Sequence, residues 1–174
     1  MRIFLVGFMG AGKSVIGRLL SESLNLDFYD LDSEIESKYR TSVSSIFAKY
    51  DEACFRTLET TVLQSFSDND NFVMSCGGGT PCFNNNMEQM NSIGITVYLK
   101  LPPDALATRI YNSVKTRPLT AEKSQEELAE YVEKTLNSRE SFYSMAKITI
   151  DCTNTDKDEI LERIASAIAK YQQA

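Results

Sequence analysis

Short apolar segments alternate with longer amphipathic stretches along the 174 residues of the chain. Continuously apolar runs are typical of strands that are covered on both faces of a parallel sheet, and helices supply the crossovers that parallel strands need. The pattern therefore predicts a three-layer α/β/α fold with a five-stranded parallel sheet, formed by a single domain over residues 1–174. The predicted strands are residues 3–6, residues 27–30, "NFVMSC", "GITVYLKL" and "KITID".

Apolar positions at helical spacing lie between these strands. In the first such stretch, Val15, Ile16, Leu19 and Leu20 recur with the period of an amphipathic helix. Residues 112–124 contain "TRP", have no clear period and separate two helical stretches, so we predict a mobile lid there. The predicted helices cover residues 13–23, 32–39, 43–50, 52–66, 104–112, 125–146 and 156–171.

The charge balance restricts the partners of this protein. With 18 Lys and Arg against 24 Asp and Glu, the formal charge is −6. Nucleic acids and anionic membranes attract basic surfaces, so we expect small-molecule substrates and neither of those partners. Any anion that this protein binds must therefore be held by local cations.

The cysteines indicate the compartment. The four cysteines form no C-x-x-C pair and the chain has no histidine, which argues against a zinc site and favours reduced, mostly buried thiols in a cytoplasmic protein.

Residues 2–11 have the arginine and apolar stretch of a short secretory signal, but glycines interrupt that stretch. No apolar face is left without a predicted place in the core, so a monomer is the expectation.

The stretch "GFMGAGKSVIG" follows the first predicted strand and opens the first helix. Gly7, Gly12, Lys13 and Ser14 have the spacing G-x-x-x-x-G-K-[ST] of a phosphate-binding loop, or P-loop. In such a loop backbone N–H groups surround phosphate oxygens, the lysine reaches the outer phosphates and the hydroxyl ligates magnesium. The strand and helix on either side supply the required context, so the stretch predicts a nucleotide-phosphate site.

Two carboxylates follow the second strand in "FYDLDSE". Asp30 and Asp32 are two residues apart, and on an extended strand both would point to the same side, at the end of the sheet where ligands collect. One carboxylate would orient hydrated magnesium, and the other would accept a proton from a hydroxyl. The alternative is that Asp32 or Ser33 caps the following helix.

Two further stretches are candidates for ligand binding, one because of its charged residues and the other because of its glycines. "CFRTLE" places Arg56 and Glu59 on one face of a helix, opposite the apolar stripe, where a weak surface ion pair is the alternative to a binding role. "SCGGGT" has three glycines after a strand, which indicates close approach of backbone to a ligand or a positive φ, with a loose turn as the alternative. Arg117 and Arg139 are isolated arginines, for which solvation is the ordinary explanation.

Together these stretches resemble the shikimate kinase family, small P-loop kinases of the nucleoside-monophosphate-kinase-like group. The resemblance covers nearly the whole chain, and only the P-loop is specific by itself. The order and spacing of all six motifs agree with the family. They are "GFMGAGKS", "FYDLDSEIE", "IFAKYDEACFRTLE", "FVMSCGGGT", "TRPL" and "SRESFY".

The resemblance implies an acceptor site within residues 32–60 and two later segments. Asp32 would contact the acceptor hydroxyl and accept its proton, while Arg56 and Arg139 would hold the acceptor carboxylate bidentately. Glu59 would brace Arg56. The glycine segment would present backbone to the same ligand through Gly77, Gly78 and Gly79.

The resemblance also implies a site for ATP with Mg²⁺. Ser14 and, through water, Asp30 would support the metal ion, while Lys13 and the lid residue Arg117 would neutralise the phosphates during catalysis. Arg109 and Thr153 would border the adenine. The nucleotide-binding residues implied in this way are Gly10, Ala11, Gly12, Lys13, Ser14, Val15, Arg109, Arg117 and Thr153.

One departure from other P-loop enzymes concerns the strand before the glycines. It reads "VMSC" and lacks the terminal acidic residue, as shikimate kinases do, so Ser75 is a further candidate for metal support. The expected reaction is transfer of the γ-phosphoryl group of ATP to the 3-hydroxyl of shikimate, a step of aromatic amino-acid biosynthesis. The alternatives are a gluconate-type kinase and a kinase-like regulator that binds nucleotide without turnover.

Overall fold

A computed structural model describes residues 1–113 and 124–173. In this part of the chain a single sheet contains β1 (Arg2–Val6), β2 (Asp27–Asp30), β3 (Phe72–Ser75), β4 (Ile95–Lys100) and β5 (Ile148–Asp151). The strands are all parallel, in the order β2-β3-β1-β4-β5. The predicted five-stranded parallel sheet is confirmed.

Eight α-helices lie in the described residues. They are α1 (Lys13–Leu24), α2 (Leu31–Tyr39), α3 (Val43–Lys49), α4 (Glu52–Gln64), α5 (Asn86–Ile93), α6 (Pro103–Tyr111), α7 (Gln125–Tyr143) and α8 (Lys157–Gln173). None of them is both long and apolar enough to span a bilayer.

The direction of the crossovers places the helices on both faces of the sheet. Helix α1 leads from the central strand β1 toward the β2 edge, whereas α5 leads from β3 in the opposite direction to β4. Because such crossovers are right-handed, α1 and α5 cover opposite faces. Helix α8 packs against α1 and β5, and α6 and α7 connect β4 to β5 in the same direction as α5. The predicted three-layer arrangement is confirmed.

The register brings the carboxyl ends of three strands together. Leu5 of β1 is paired with Ser75 of β3, and Ser75 is paired with Asp30 of β2. The P-loop, the start of α2 and the glycine segment after β3 therefore meet at one edge of the sheet. This edge is where open α/β sheets bind their ligands.

Helix α5 and a short 3-10 helix (Thr80–Cys82) were not predicted. Helix α5 begins at the third of three consecutive asparagines, which are typical of turns, and Met87 and Met90 are its only fully buried apolar residues. Two buried apolar residues in an eight-residue helix are too few to produce a readable period.

The inward face of α1 differs from the predicted stripe. Val15 is 48% exposed, whereas Ser21 is buried. The buried side instead contains Ile16, Gly17 and Leu20, because the missing side chain of Gly17 lets the helix approach the sheet closely.

Gly17→Ala tests this close approach. A Cβ at Gly17 would lie 2.7 Å from Cε2 of Phe28 and 3.2 Å from Cδ1 of the fully buried Leu5. Alanine favours the helix by about 1 kcal/mol, but overpacking costs about 1–3 kcal/mol. We expect a net loss of about 1 kcal/mol in the free energy of unfolding, measured by urea denaturation. Glu22→Ala, on the exposed side of α1, is the control, and a Gly17→Ala variant more stable than the wild type would contradict the packing described.

Candidate active site

The loop between β1 and α1 has the backbone of a phosphate cradle. Gly7 and Gly12 have φ values of 137° and 93°, in a region that side chains with a Cβ rarely adopt. Gly12 directly precedes the first turn of α1, so the N-terminal N–H groups of the helix point into the concave side of the loop. Lys13 is only 8% exposed, and its Nζ donates hydrogen bonds to the carbonyl oxygens of Gly7 and Phe8, both at 2.9 Å.

The remaining P-loop residues connect this cradle to α6. Gly10 has a φ of 82° and packs against Ile110, and Ala11 is buried. Val15 lies in the first turn of α1 with an exposed side chain. The loop is thus in contact with the helix that carries Arg109.

Three oxygen-bearing side chains meet beside the start of α1. The hydroxyl of Ser14 donates to Oδ2 of Asp30 at 2.7 Å and lies 3.2 Å from the hydroxyl of Ser75. One carboxylate and two hydroxyls are a donor set that suits Mg²⁺, which binds oxygen and keeps several waters. Within residues 1–113 and 124–173, no group of three or more Asp, Glu, Cys or His side chains could hold a metal ion by itself.

The two aspartates after β2 occupy different elements. The strand ends at Asp30, whose Oδ1 accepts from the backbone N–H of Ser33 and so caps α2. Asp32 lies in the first turn of that helix. The expectation of two side chains on one extended strand is therefore wrong, and so is the alternative that Asp32 or Ser33 is the cap. The helical turn redirects Asp32 toward Gly77, where a Cβ would lie 3.2 Å from Oδ1 of Asp32.

Two carboxylates hold the guanidinium of Arg56. Its Nη1 donates to Oε2 of the fully buried Glu59 at 2.8 Å, and its Nε and Nη2 donate to Oε1 of Glu52 at 3.2 and 2.9 Å. The guanidinium also lies 4.3 Å from the ring centroid of Phe83. Burial by itself lowers the pKa of Arg56, but Glu59 and Glu52 outweigh burial and raise the pKa above its ordinary value. Arg56 and Glu59 do form an ion pair, but it is buried, so the alternative of a weak surface pair opposite the apolar stripe is wrong.

The segment after the glycines is fastened to α4. The hydroxyl of Thr80 donates to Oε1 of Glu59 at 2.6 Å. The side-chain amide of Asn84 donates to the carbonyl oxygen of Arg56 at 3.2 Å and to the hydroxyl of Thr60 at 2.9 Å. These bonds hold the glycines directly beside the Arg56 side chain.

The three glycines allow close approach rather than an unusual backbone, since none of them has a positive φ. A Cβ at Gly77 would lie 3.1 Å from Oε1 of Glu59, and a Cβ at Gly79 would overlap the guanidinium of Arg56. A Cβ at Gly78 would lie 3.3 Å from the backbone nitrogen of Met9 in the P-loop and 3.8 Å from Nη1 of Arg139. This one segment therefore touches the P-loop and both arginines.

Helix α7 brings Arg139 to this segment. Tyr143, one turn later, donates its hydroxyl to the carbonyl oxygen of Gly78 at 2.5 Å. Glu140 accepts from the hydroxyl of Tyr98 at 2.7 Å and from Nζ of Lys100 at 2.6 Å, which ties α7 to β4. Two attachments that directly follow Arg139, at Glu140 and Tyr143, thus set the rotation of α7.

A pocket of about 510 Å³ lies between α6 and the loop after β5. Its lining includes Ala105 and Arg109 on one side and Thr153 on the other. The turn after β5 is closed by the N–H of Thr153, which donates to Oδ1 of Asp151 at 2.9 Å, and hydrogen bonds from Thr153 lower the pKa of Asp151. Arg109 and Thr153, 44 positions apart in the sequence, line the same pocket.

Comparison with known proteins identifies the family. A family model described as shikimate kinase matches residues 9–169. This chain belongs to the shikimate kinase family. The curated shikimate kinase of Azobacteroides pseudotrichonymphae genomovar. CFP2 is 44% identical over 168 residues, which cover 96% of this chain and 99% of that protein.

Solved structures of the family have the same fold. The shikimate kinase of Bacteroides thetaiotaomicron superposes with a TM-score of 0.93 at 35% identity, over 97% of this chain and 98% of that one. The shikimate kinase of Acinetobacter baumannii, solved in complex with shikimate, has a TM-score of 0.88 at 34% identity, over 99% of this chain and 95% of that one. The resemblance noted in the sequence is confirmed at the level of family and fold.

The structure brings most of the predicted site residues into two adjoining groups. Lys13, Ser14 and Asp30 lie around the P-loop, and Asp32, Arg56, Gly77, Gly78, Gly79 and Arg139 lie around the glycine segment. Arg117 and nearly all of the predicted lid lie outside the described residues.

Several residues of the site were missed in the sequence. Glu52, Thr80, Phe83 and Tyr143 hold or flank the predicted residues. Glu52 had a readable signal, since it precedes Arg56 by four positions within one predicted helix. Thr80 and Tyr143 belong to the motifs "SCGGGT" and "SRESFY", but their partners are distant in sequence, so no local pattern indicated their contacts, and Phe83 had no signal.

Glu59→Gln tests the buried ion pair. The variant keeps the size of the side chain but leaves Arg56 with only the exposed carboxylate of Glu52. Breaking a buried pair costs about 3–5 kcal/mol, and because Glu52 remains we expect a loss near the lower value in the free energy of unfolding. Urea denaturation measures this loss. The control is Glu159→Gln, which breaks an exposed pair with Arg163 on α8, and equal losses in the two variants would refute the importance of burial here.

Proposed function

We propose that this protein transfers the γ-phosphoryl group of ATP to the 3-hydroxyl of shikimate, producing shikimate 3-phosphate and ADP for aromatic amino-acid biosynthesis. The observation that carries the proposal is the glycine segment. Gly77 adjoins Asp32, Gly78 adjoins the P-loop and Arg139, and Gly79 adjoins Arg56. An acceptor bound against this segment meets two guanidiniums and a carboxylate next to the phosphate cradle.

The acceptor side of the site suits a hydroxylated carboxylic acid. Arg56 and Arg139 bind its carboxylate, for which the planar guanidinium has the appropriate geometry. Asp32 accepts hydrogen bonds from the ring hydroxyls and takes the proton of the attacking hydroxyl. The backbone of Gly77, Gly78 and Gly79 lets the ring approach closely because no side chain intervenes.

On the phosphate side, catalysis consists mainly of alignment and charge compensation. Lys13 and the N–H groups of the P-loop hold the phosphates, and Arg117 completes the charge compensation from the predicted lid. Ser14 and Asp30, the latter through water, hold Mg²⁺, with Ser75 beside them. When bound, Mg²⁺ would neutralise negative charge that develops on the phosphates during transfer.

The pocket at α6 is proposed to receive the adenine of ATP. Arg109 covers one side of the base and Thr153 borders the other. Gly10 packs against Ile110, so the helix that lines this pocket also contacts the P-loop, as the binding of one nucleotide requires. The protein is proposed to act as a monomer in the cytoplasm.

An ADP-release assay with a panel of acceptors tests the proposed function. With ATP and Mg²⁺, we expect turnover with shikimate and little with gluconate or nucleoside monophosphates. Turnover with gluconate alone would indicate a kinase for another hydroxylated acid. Nucleotide binding without turnover on any acceptor would indicate a regulator and overturn the proposal.

Lys13→Met tests the phosphate contact. The methionine retains the length of the side chain but removes its charge. We expect kcat with shikimate to fall by at least about 10²-fold, as for the loss of one preorganised donor. The control, Lys170→Ala, changes an exposed lysine near the end of α8, and retention of wild-type kcat by Lys13→Met would contradict the assignment.

Arg56→Lys tests the carboxylate contact. Lysine preserves the charge next to Glu59 but cannot bind a carboxylate through two parallel N–H groups. We expect the KM for shikimate to rise by about tenfold or more, while the KM for ATP stays near its wild-type value. Steady-state kinetics at varied shikimate measure the effect, and an unchanged KM for shikimate would show that Arg56 does not bind the carboxylate.

A further inference from the structure

The two carboxylates that hold Arg56 differ in their exposure to water. The Glu59 side chain is 0% exposed, whereas the Glu52 side chain is 56% exposed. Glu59 is fixed further by the hydroxyl of Thr80 at 2.6 Å, and the only hydrogen bonds formed by the Glu52 side chain in the described residues are those to Arg56. Glu59 is therefore a permanent partner, while Glu52 can turn into water with little loss of other contacts.

Glu52 occupies the approach to the guanidinium. On the buried side, Nη1 of Arg56 donates a hydrogen bond to Glu59. Gly79 lies against Cζ and Nη2, and the ring centroid of Phe83 lies 4.3 Å from Cζ. The remaining edge, formed by Nε and Nη2, points to the solvent-exposed carboxylate of Glu52. An incoming carboxylate that pairs side-on with Arg56 must therefore take the place of Glu52.

Arg139 provides the contrast. Among the residues that the structure describes, no carboxylate forms a salt bridge with Arg139, which lies 5.9 Å from the ring centroid of Phe8. Of the two arginines beside the glycine segment, Arg56 already forms an ion pair with a carboxylate on its solvent side. The acceptor thus gains a new ion pair at Arg139 but exchanges one at Arg56.

We infer that Glu52 is an internal competitor of the acceptor, whose carboxylate occupies Arg56 in the unliganded protein and is displaced when the carboxylate of shikimate binds. The inference rests on the proposed function. Glu52 keeps Arg56 paired and oriented in the absence of substrate, and in doing so it weakens substrate binding. Glu52 is therefore a residue that sets the affinity for the acceptor.

The magnitude follows from the kind of pair that is exchanged. Exposed ion pairs four residues apart on a helix are weak, so their removal changes a binding constant by a small factor. We expect Glu52→Gln to tighten shikimate binding about two- to fivefold, because the neutral amide is a weaker competitor for the guanidinium. Because Glu59 still holds Arg56 in place, kcat should stay near its wild-type value.

The experiment compares two ligands by calorimetry and kinetics. Shikimate and its reduced analogue, in which CH₂OH replaces the carboxylate, are titrated into the wild type, Glu52→Gln and Glu52→Ala. The expected result is a lower Kd and KM for shikimate in both variants and no tightening for the analogue. A change in general packing would alter the binding of both ligands alike.

Glu159→Gln is the matched control. Glu159 also lies in the first turn of a helix and pairs with an arginine four residues later, but it is on α8. Its replacement should leave shikimate binding unchanged. Weaker or equal shikimate binding in both Glu52 variants overturns the inference and makes Glu52 a simple brace, as does equal tightening for the analogue. A wild-type protein without shikimate turnover overturns instead the proposed function, and the inference with it.

Discussion

The ion pair between Arg56 and the fully buried Glu59 is the interaction on which the acceptor side of the molecule depends. Glu59 binds Arg56 through one carboxylate oxygen and Thr80 through the other, so a single side chain joins α4 to the segment that follows β3. A buried carboxylate is stable only when its charge is paired and its oxygens accept hydrogen bonds. Both conditions are met here only if the glycine segment and Arg56 are in place.

Two buried phenols extend this organisation to α7. Burial raises the pKa of Tyr98 and Tyr143 far above the ordinary value, so both remain protonated donors at any physiological pH. Their hydroxyls bind Glu140 and the carbonyl oxygen of Gly78. Arg139 directly precedes these two attachments along the helix, and its position therefore depends on neutral hydrogen bonds as well as on charge.

The site also explains how an acidic protein can bind anionic substrates. The formal charge of −6 gives no general attraction for a nucleotide or a carboxylate. In the proposed function, local donors do the binding instead: the N-terminus of α1 and Lys13 would serve the phosphates, and Arg56 and Arg139 would face the acceptor. Partial neutralisation of Arg56 by Glu52 would moderate this local field until substrate arrives.

The sequence by itself determined the elements and the family. Apolar runs that must be buried on both faces predicted the five parallel strands, and the spacing of Gly7, Gly12, Lys13 and Ser14 predicted the loop that precedes α1. These features are local, since a period or a turn is written in consecutive residues. The order of the motifs in the chain was enough to indicate the shikimate kinase family.

Only the tertiary structure decided which side chains meet. Asp30 caps α2 and binds Ser14, Glu59 is buried rather than on the surface, and Glu52 covers the exposed edge of Arg56. Gly78 reaches the P-loop and Arg139 together because the β3 and β1 ends adjoin and α7 packs beside them. Burial and partnership between residues tens of positions apart arise from strand order and helix packing, which no local pattern of residues encodes.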